Sequence, residues 1–245
     1  MLDRDAVFST EVPLTEQEEN LTRFWGKPIS NYSAKCAIAE FIASNLFKDE
    51  VIGAGSGTTS FLTLAAIAQK QARSKQKNIF VPTSDEITLA CRFFGLHQTS
   101  PLSMSPDWGF DGADEIDLEG SMIKGRGGAL VLEKIIMSMS KKTLIVADSS
   151  KFQERLGATF SVPVEIIPDS YSLVRSQLEN EGISEFKLRG NSRSDGPAVT
   201  RYGNWTIDVR FEAPTRESLR YLKQIPGVIE AGLFFDYPIE IVRAN

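Results

Sequence analysis

Between residues 111 and 136 the chain concentrates groups that can move protons. Asp111-Gly112-Ala113-Asp114-Glu-Ile-Asp117 is followed by Lys124-Gly125-Arg126-Gly127-Gly128-Ala, and then by Glu133-Lys-Ile-Ile. Two aspartates on a Gly-Ala elbow can hold a hydroxyl. A lysine opening a glycine run can meet an oxyanion, and a glutamate on the helix that follows can carry a proton. Such a set makes an acid/base site that needs no metal. Acidic runs of this kind are usually solvated loops, but Asp111 follows an apolar strand end and shares its turn with Asp114. Both carboxylates are therefore expected at a pocket edge. Lys124 with Gly125, Gly127 and Gly128 reads either as a cation plus backbone N–H donors or as a flexible helix start.

A second segment, Gly53-Ala-Gly55-Ser56-Gly57-Thr58-Thr59, lies between a short apolar run and a helical pattern. It is neither GxGxxG nor a Walker loop, so dinucleotide or ATP binding has little support. Glycines followed by hydroxyls at a helix start still make a cradle for one phosphate, because free N–H groups and the helix dipole both favour an anion. A tight turn with threonine as helix cap is the competing reading. Phosphate binding gains weight because the acid/base cluster is expected nearby.

Those residues need elements to position them. Cys36, Ile38, Ala39, Ile42 and Leu46 fall close to helical spacing over 33–47, and Phe61, Leu62, Leu64, Ala65 and Ile67 do so from Thr58 onward. Short apolar strands are expected at 51–55, 78–82, 108–110 and 143–147, with helices at 85–94, closed by Gly95, and at 129–139. Strands alternating with helices imply a parallel sheet covered on both faces, and ligands bind outside the carboxyl ends of such strands. The Gly55 loop, the Asp111 elbow and Asp148 all follow strands, so they are expected on one edge. After about residue 156 the pattern becomes strand (162–168), helix (170–181), strand (185–188), hairpin (198–211, turning at Tyr202-Gly-Asn), helix (215–224) and extended chain (228–234). That order predicts a small ferredoxin-like α+β unit. Ile239-Glu-Ile-Val is expected to return to the first sheet. The resulting division is an N-terminal extension (1–32), a Rossmann-like unit (33–156 plus 236–245) and a small lid unit (157–235).

Bulk properties narrow the function further. The 245 residues can bury a substantial core, and 42% apolar with 24% charged residues is ordinary for a globular protein. A net charge of -5 and no basic stripe interleaved with aromatics argue against nucleic acid. Cys36 and Cys91 are far apart and form no CxxC, which suits a reducing compartment and two small apolar residues. His97 is the only histidine, which excludes a histidine-rich metal site and restricts any Ser-His-Asp triad to that residue. No 18-residue apolar run exists to span a membrane. The acidic stretch with Glu11, Glu16, Glu18 and Glu19 is unlike a signal or transit peptide, so a cytoplasmic location is expected. Phe24 and Trp25 give that stretch two aromatics with which to dock.

The ordered set of these motifs resembles the A-type ribose-5-phosphate isomerases from about residue 33 to the C-terminus. DGADEID followed by KGxGGA and EKI is highly specific, and 51–59, 82–84, 147–156, 163–168, 196–204 and 225–234 follow in the family's order. The resemblance implies a Rossmann-like domain with a small lid, no cofactor and no metal, and a homodimer or homotetramer acting on a small sugar phosphate. It implies interconversion of ribose 5-phosphate and ribulose 5-phosphate through a cis-enediolate. Glu133 matches the catalytic base, Asp111 and Asp114 the paired aspartates, and Lys124 the active-site lysine. Lys35, Ser56, Gly57, Thr58, Thr59 and Lys151 match substrate-contacting positions, as do Gly112, Ala113, Gly125, Arg126 and Gly127 of the two loops. The family's usual GTGST is here Gly55-Ser-Gly-Thr-Thr59. Arg126 stands where a glycine is frequent, and Leu132 where a basic residue is frequent.

Rival readings are distinguishable. A metal-dependent isomerase lacks its ligands. A non-catalytic sugar-phosphate sensor would keep the Gly55 loop without needing Glu133. A CoA-transferase or amino-sugar deaminase relative would not show DGADEID with KGxGGA.

Overall fold

The computed structural model describes residues 14–26, 28–47, 49–74, 77–191 and 195–244; residues 1–13, with Glu11, lie outside the described residues. The first elements are α1 (Leu14–Trp25), α2 (Tyr32–Ser44), β1 (Val51–Ala54), α3 (Thr58–Ala72), β2 (Ile79–Pro82), α4 (Asp85–Phe94) and β3 (His97–Gln98). They are followed by β4 (Trp108–Gly112), β5 (Glu115–Ile116), β6 (Met122–Ile123), α5 (Leu130–Met139) and β7 (Thr143–Asp148). The final set is β8 (Val162–Ile166), α6 (Tyr171–Asn180), β9 (Phe186–Leu188), β10 (Trp205–Val209), α7 (Arg216–Gln224), β11 (Val228–Ala231), β12 (Leu233–Phe234) and β13 (Ile239–Ala244).

The main sheet is six-stranded and parallel throughout, in the order β13-β7-β4-β1-β2-β3. β1 is buried along its whole length, as a strand covered on both faces must be. The expected return of the last strand to this sheet is found, since β13 pairs with β7. Because β1, β4 and β7 are neighbours, the loops after Ala54, Gly112 and Asp148 open side by side on one edge.

Glycines set how closely one helix approaches that sheet. A Cβ on Gly53 of β1 would sit 2.7 Å from the Ile136 Cγ2 of α5, and one on Gly109 of β4 3.1 Å from the Gly53 carbonyl oxygen. The missing side chains let α5 lie directly on β1 and β4. Glu133, one turn before Ile136 and on the same helix face, is thereby brought to the sheet edge.

The smaller unit is a four-stranded antiparallel sheet in the order β11-β8-β10-β9, built from strand, helix, two strands, helix and strand. This is the ferredoxin-like arrangement expected from the element order. Its own core gathers Val162, Val164, Ile166, Val174, Leu178, Ile207, Val209 and Leu222. The hairpin expected over 198–211 keeps its turn, where Gly203 N–H donates to Thr200 O. Its first arm, however, is reduced to isolated bridges at Pro197 and Val199.

Two features differ from the sequence reading. The extended run 228–234 is not one strand: it breaks at Gly232, and β12 leaves the small sheet to pair with β6 in a three-stranded sheet with β5. The break is enforced by close approach, since a Cβ on Gly232 would lie 2.1 Å from the Lys124 carbonyl oxygen. The other difference is that part of the acidic extension forms the helix α1, while the docking of Phe24 and Trp25 on the body is as expected. Phe24 stacks on Phe61 and Phe93 with centroids 5.5 and 4.1 Å apart, and Trp25 lies 4.9 Å from Phe61. Aromatic burial of this kind holds a short helix that propensity alone would leave marginal.

Candidate active site

Asp111 is the last residue of β4 before its terminal glycine, and its carboxylate turns back across the neighbouring strand end. Oδ1 accepts from the Ser56 N–H at 3.2 Å and the Gly112 N–H at 2.7 Å. Gly55 makes this possible: a Cβ there would stand 2.2 Å from Asp111 Oδ1 and 2.5 Å from its Cα. The glycine loop and the acidic elbow are thus one structure.

Lys124 lies behind them and is 3% exposed. Its Nζ is 3.0 Å from Asp111 Oδ2 and 3.4 Å from Glu133 Oε2, and it also donates to the Gly112 carbonyl. Its own N–H donates to Gly232 O at 3.0 Å, so the chain leaving the small sheet fixes the lysine's backbone. Burial alone would lower the Lys124 pKa, but Asp111 and Glu133 more than offset it and hold the ammonium above its ordinary range.

Glu133 is buried in the first turn of α5, and its Oε2 has no hydrogen-bond partner. Burial pushes its carboxyl up to about 7; Lys124 pulls downward, while Asp111 and Asp114 add to the rise. The nearby lysine therefore does not keep this group at an ordinary carboxylate pKa. Asp111 is likewise raised by burial, against the pull of Lys124 and the two amides. Asp114, less enclosed, accepts from the Arg126 N–H at 3.1 Å.

At the other end, Gly57 adopts φ +92° as the residue before α3, and the Ser56 and Thr83 hydroxyls are 2.8 Å apart. The Lys35 ammonium, from α2, donates to Thr58 Oγ1 at 2.8 Å and to Ser30 Oγ at 3.3 Å. Burial lowers the Lys35 pKa, while Asp148 works in the opposite direction. Asp148 caps the short turn Ser149–Lys151, accepting from the Ser150 N–H, and receives Asn31 Nδ2 at 3.4 Å. The Phe160 ring takes Arg126 on one contact at 4.5 Å and Lys151 on another at 5.6 Å.

The fifteen residues that the resemblance assigned to catalysis or substrate contact all line one cavity of about 180 Å³, whereas Gly55 and Gly128 of the two loops do not. The fifteen are Lys35, Ser56, Gly57, Thr58, Thr59, Asp111, Gly112, Ala113, Asp114, Lys124, Gly125, Arg126, Gly127, Glu133 and Lys151. Asp148, expected on the same sheet edge, lines it too, with Ile38, Val146 and Ala147. Arg126 is not among the residues with positive φ, so a side chain is accommodated where glycine is frequent. Ser30, Asn31, Thr83 and Gly232 were missed as supports; only Thr83 and Gly232 lay within segments the sequence had marked. Among the described residues no group of three or more His, Cys, Asp or Glu is arranged to hold a metal ion.

A buried carboxylate and lysine at one end of a cavity, with amides, hydroxyls and cations at the other, define an acid/base enzyme for a small anionic substrate. The family model for ribose 5-phosphate isomerase A (phosphoriboisomerase A) matches residues 79–245. Ribose-5-phosphate isomerase A of Thermosynechococcus vestitus is 35% identical over 204 residues, covering 82% of this chain and 86% of that one. The protein of the same name from Treponema denticola is 36% identical over 203 residues, covering 79% and 84%. Among solved structures, ribose 5-phosphate isomerase A from Methanocaldococcus jannaschii superposes with a TM-score of 0.84 at 29% identity, over 88% of this chain and 96% of that one. A D-ribose-5-phosphate isomerase in complex with phospho-erythronic acid gives the same TM-score at 30% identity and the same coverage. The chain belongs to the ribose 5-phosphate isomerase A family.

Proposed function

We propose that this chain interconverts D-ribose 5-phosphate and D-ribulose 5-phosphate through a cis-enediolate. It is an aldose-ketose isomerase of the non-oxidative pentose phosphate pathway. The observation that carries the reading is Glu133: a buried glutamate whose Oε2 makes no hydrogen bond and faces only the buried Lys124 ammonium, at 3.4 Å, in one cavity.

Asp111 exchanges the ring proton that opens the furanose, and Asp114 holds a substrate hydroxyl. Glu133 takes the proton from C2 of the open aldose and returns it to C1, while the proton on O2 passes to O1. A proton α to a carbonyl is too weakly acidic for an unaided carboxylate. Stabilisation of the developing oxygen charge by Lys124 and the open amides of its loop therefore has to contribute on the order of several kcal/mol. The Arg126 and Gly128 N–H groups are not among those amides, since they donate to Asp114 Oδ2 and Gly125 O. A base with a pKa near 7 is also stronger than an ordinary glutamate, which shortens the uphill part of the transfer. The substrate phosphate sits against the Gly55 loop, with amides and hydroxyls of Ser56, Gly57, Thr58 and Thr59, and with Lys35 and Lys151 as cations.

On this reading residues 33–156 with 236–245 form the catalytic unit, and 157–235 a lid and oligomerisation unit. The working form is a cytoplasmic homodimer or homotetramer. No described helix is long and apolar enough to cross a membrane, which accords with an enzyme acting on a water-soluble sugar phosphate. A non-catalytic sensor would have no use for a buried glutamate without a hydrogen bond on Oε2, since burying it costs stability. The test is isomerisation of ribose 5-phosphate by the purified chain, with and without EDTA. Turnover unaffected by chelation supports the reading, and binding without turnover would turn it to the sensor.

A further inference from the structure

Arg189 lies just past β9 on the small sheet, 64 positions from the lysine-glycine loop it touches. Its Nε donates to Asp208 Oδ2 at 3.0 Å, and Nη2 donates to Asp208 Oδ1, so the guanidinium is fixed by a fork from β10. The remaining terminal nitrogen, Nη1, donates to two successive carbonyls of the main unit: Gly125 O at 3.2 Å and Arg126 O at 3.0 Å. Gly125 itself needs φ +102°, and the Gly128 N–H closes the turn by donating to Gly125 O.

Peptide planarity gives these two contacts a consequence. In a trans peptide the C=O and the following N–H point in opposite directions. With the carbonyls of Gly125 and Arg126 turned to Arg189, the N–H groups of Arg126 and Gly127 must turn the other way. The Arg126 N–H does so, donating to Asp114 Oδ2 at 3.1 Å. The Gly127 N–H has no protein partner among the described residues, and Gly127 lines the cavity. A free amide aimed by a clamped peptide is a preorganised oxyanion donor.

We propose that Arg189 is a positioning residue for the isomerisation, holding the 125–127 peptides so that the Gly127 N–H meets the enediolate oxygen. The Arg189–Asp208 fork thereby makes the small sheet part of the catalytic apparatus. The inference rests on the isomerase reading given above. Lysine cannot replace the guanidinium, because one ammonium cannot grip Asp208 with two parallel bonds and also reach both carbonyls.

The experiment compares the full-length wild type with Arg189→Ala, Arg189→Lys and Asp208→Asn, following ribose 5-phosphate turnover, thermal unfolding and inhibition. The inhibitors are phospho-erythronic acid, whose carboxylate places negative charge at the reacting end, and inorganic phosphate. Loosening one preorganised donor is expected to lower kcat about ten- to a hundredfold in Arg189→Ala, with KM changed less than about threefold. Phospho-erythronic acid inhibition should weaken by a similar factor while phosphate inhibition stays within about twofold. Arg189→Lys should recover at most a small part of kcat, and Asp208→Asn should fall between. Equal weakening of both inhibitors, or loss of kcat only in parallel with loss of folded protein, would assign Arg189 a purely structural role. Unchanged kcat in folded Arg189→Ala would overturn the proposal outright. A wild type without turnover would instead defeat the isomerase reading, which keeps the two failures apart.

Discussion

Gly55→Ala is the perturbation whose outcome the geometry dictates most sharply. The added methyl would lie 2.2 Å from Asp111 Oδ1, 2.3 Å from Cγ and 2.5 Å from Cα. Ordinary carbon contacts lie at about 3.5–4.0 Å, so more than about 1 Å must be recovered. A rotamer change can move the carboxylate, but the Cα is backbone of a central strand, and β4 or the loop itself must shift. Overpacking of this kind costs about 1–3 kcal/mol. In a chain of this size that corresponds to a fall in Tm of about 2–12 °C. The shift also pulls Asp111 from the Ser56 amide and from Lys124, and a misplacement of about 1 Å in a catalytic group can cost on the order of a hundredfold in rate. Thermal unfolding and steady-state kinetics on ribose 5-phosphate read the two effects. Gly196→Ala is the control, since nothing lies within 4 Å of its Cβ position. A Gly55→Ala protein with unchanged Tm and kcat/KM within threefold of wild type would refute the coupling of the two loops.

Two more outcomes follow from the same geometry. Glu133 works as a base only when ionised, and its carboxyl is raised to about 7, chiefly by burial. The kcat/KM profile should therefore rise with pH through about 7, reaching about a tenth of its plateau at pH 6. A profile already flat from pH 5 upward would contradict this. The same shift means the folded state binds the extra proton between about 4.5 and 7. The Glu133 contribution to stability is thus present at low pH and lost as pH rises through that window. At the phosphate end, Lys35→Ala should raise KM more than it lowers kcat, and free ribose should be a very poor substrate. If Lys35→Ala changes only kcat, or ribose turns over comparably, the Gly55 loop is not the phosphate site.

What the sequence made legible was local chemistry at short spacing. Asp111, Asp114, Lys124 and Glu133 could be read together because they occupy 23 positions of one chain segment, and alternating strands and helices placed them on one sheet edge. Less legible was whatever arrives from far along the chain. Gly232 and Arg189 support the Lys124 loop from more than sixty positions away, and nothing in their immediate neighbours announces it. Electrostatics was hidden for a related reason. A glutamate and a lysine close in sequence give no sign of a raised carboxyl, because burial is a tertiary property and here outweighs the lysine. Helix α1 has a polar, acidic sequence without a long apolar stripe. Its register depends on Phe24 and Trp25 finding Phe61, which only the assembled core supplies.

The central claim is that Glu133 is the base that moves the proton between C2 and C1, and Glu133→Gln tests it directly. The amide keeps the size and shape of the side chain but cannot accept the proton. At pH 8, turnover of ribose 5-phosphate should fall by about a hundred- to ten-thousandfold, with substrate affinity within a few-fold of wild type and the protein folded. A folded Glu133→Gln protein that retains a rate within about tenfold of wild type would contradict the account.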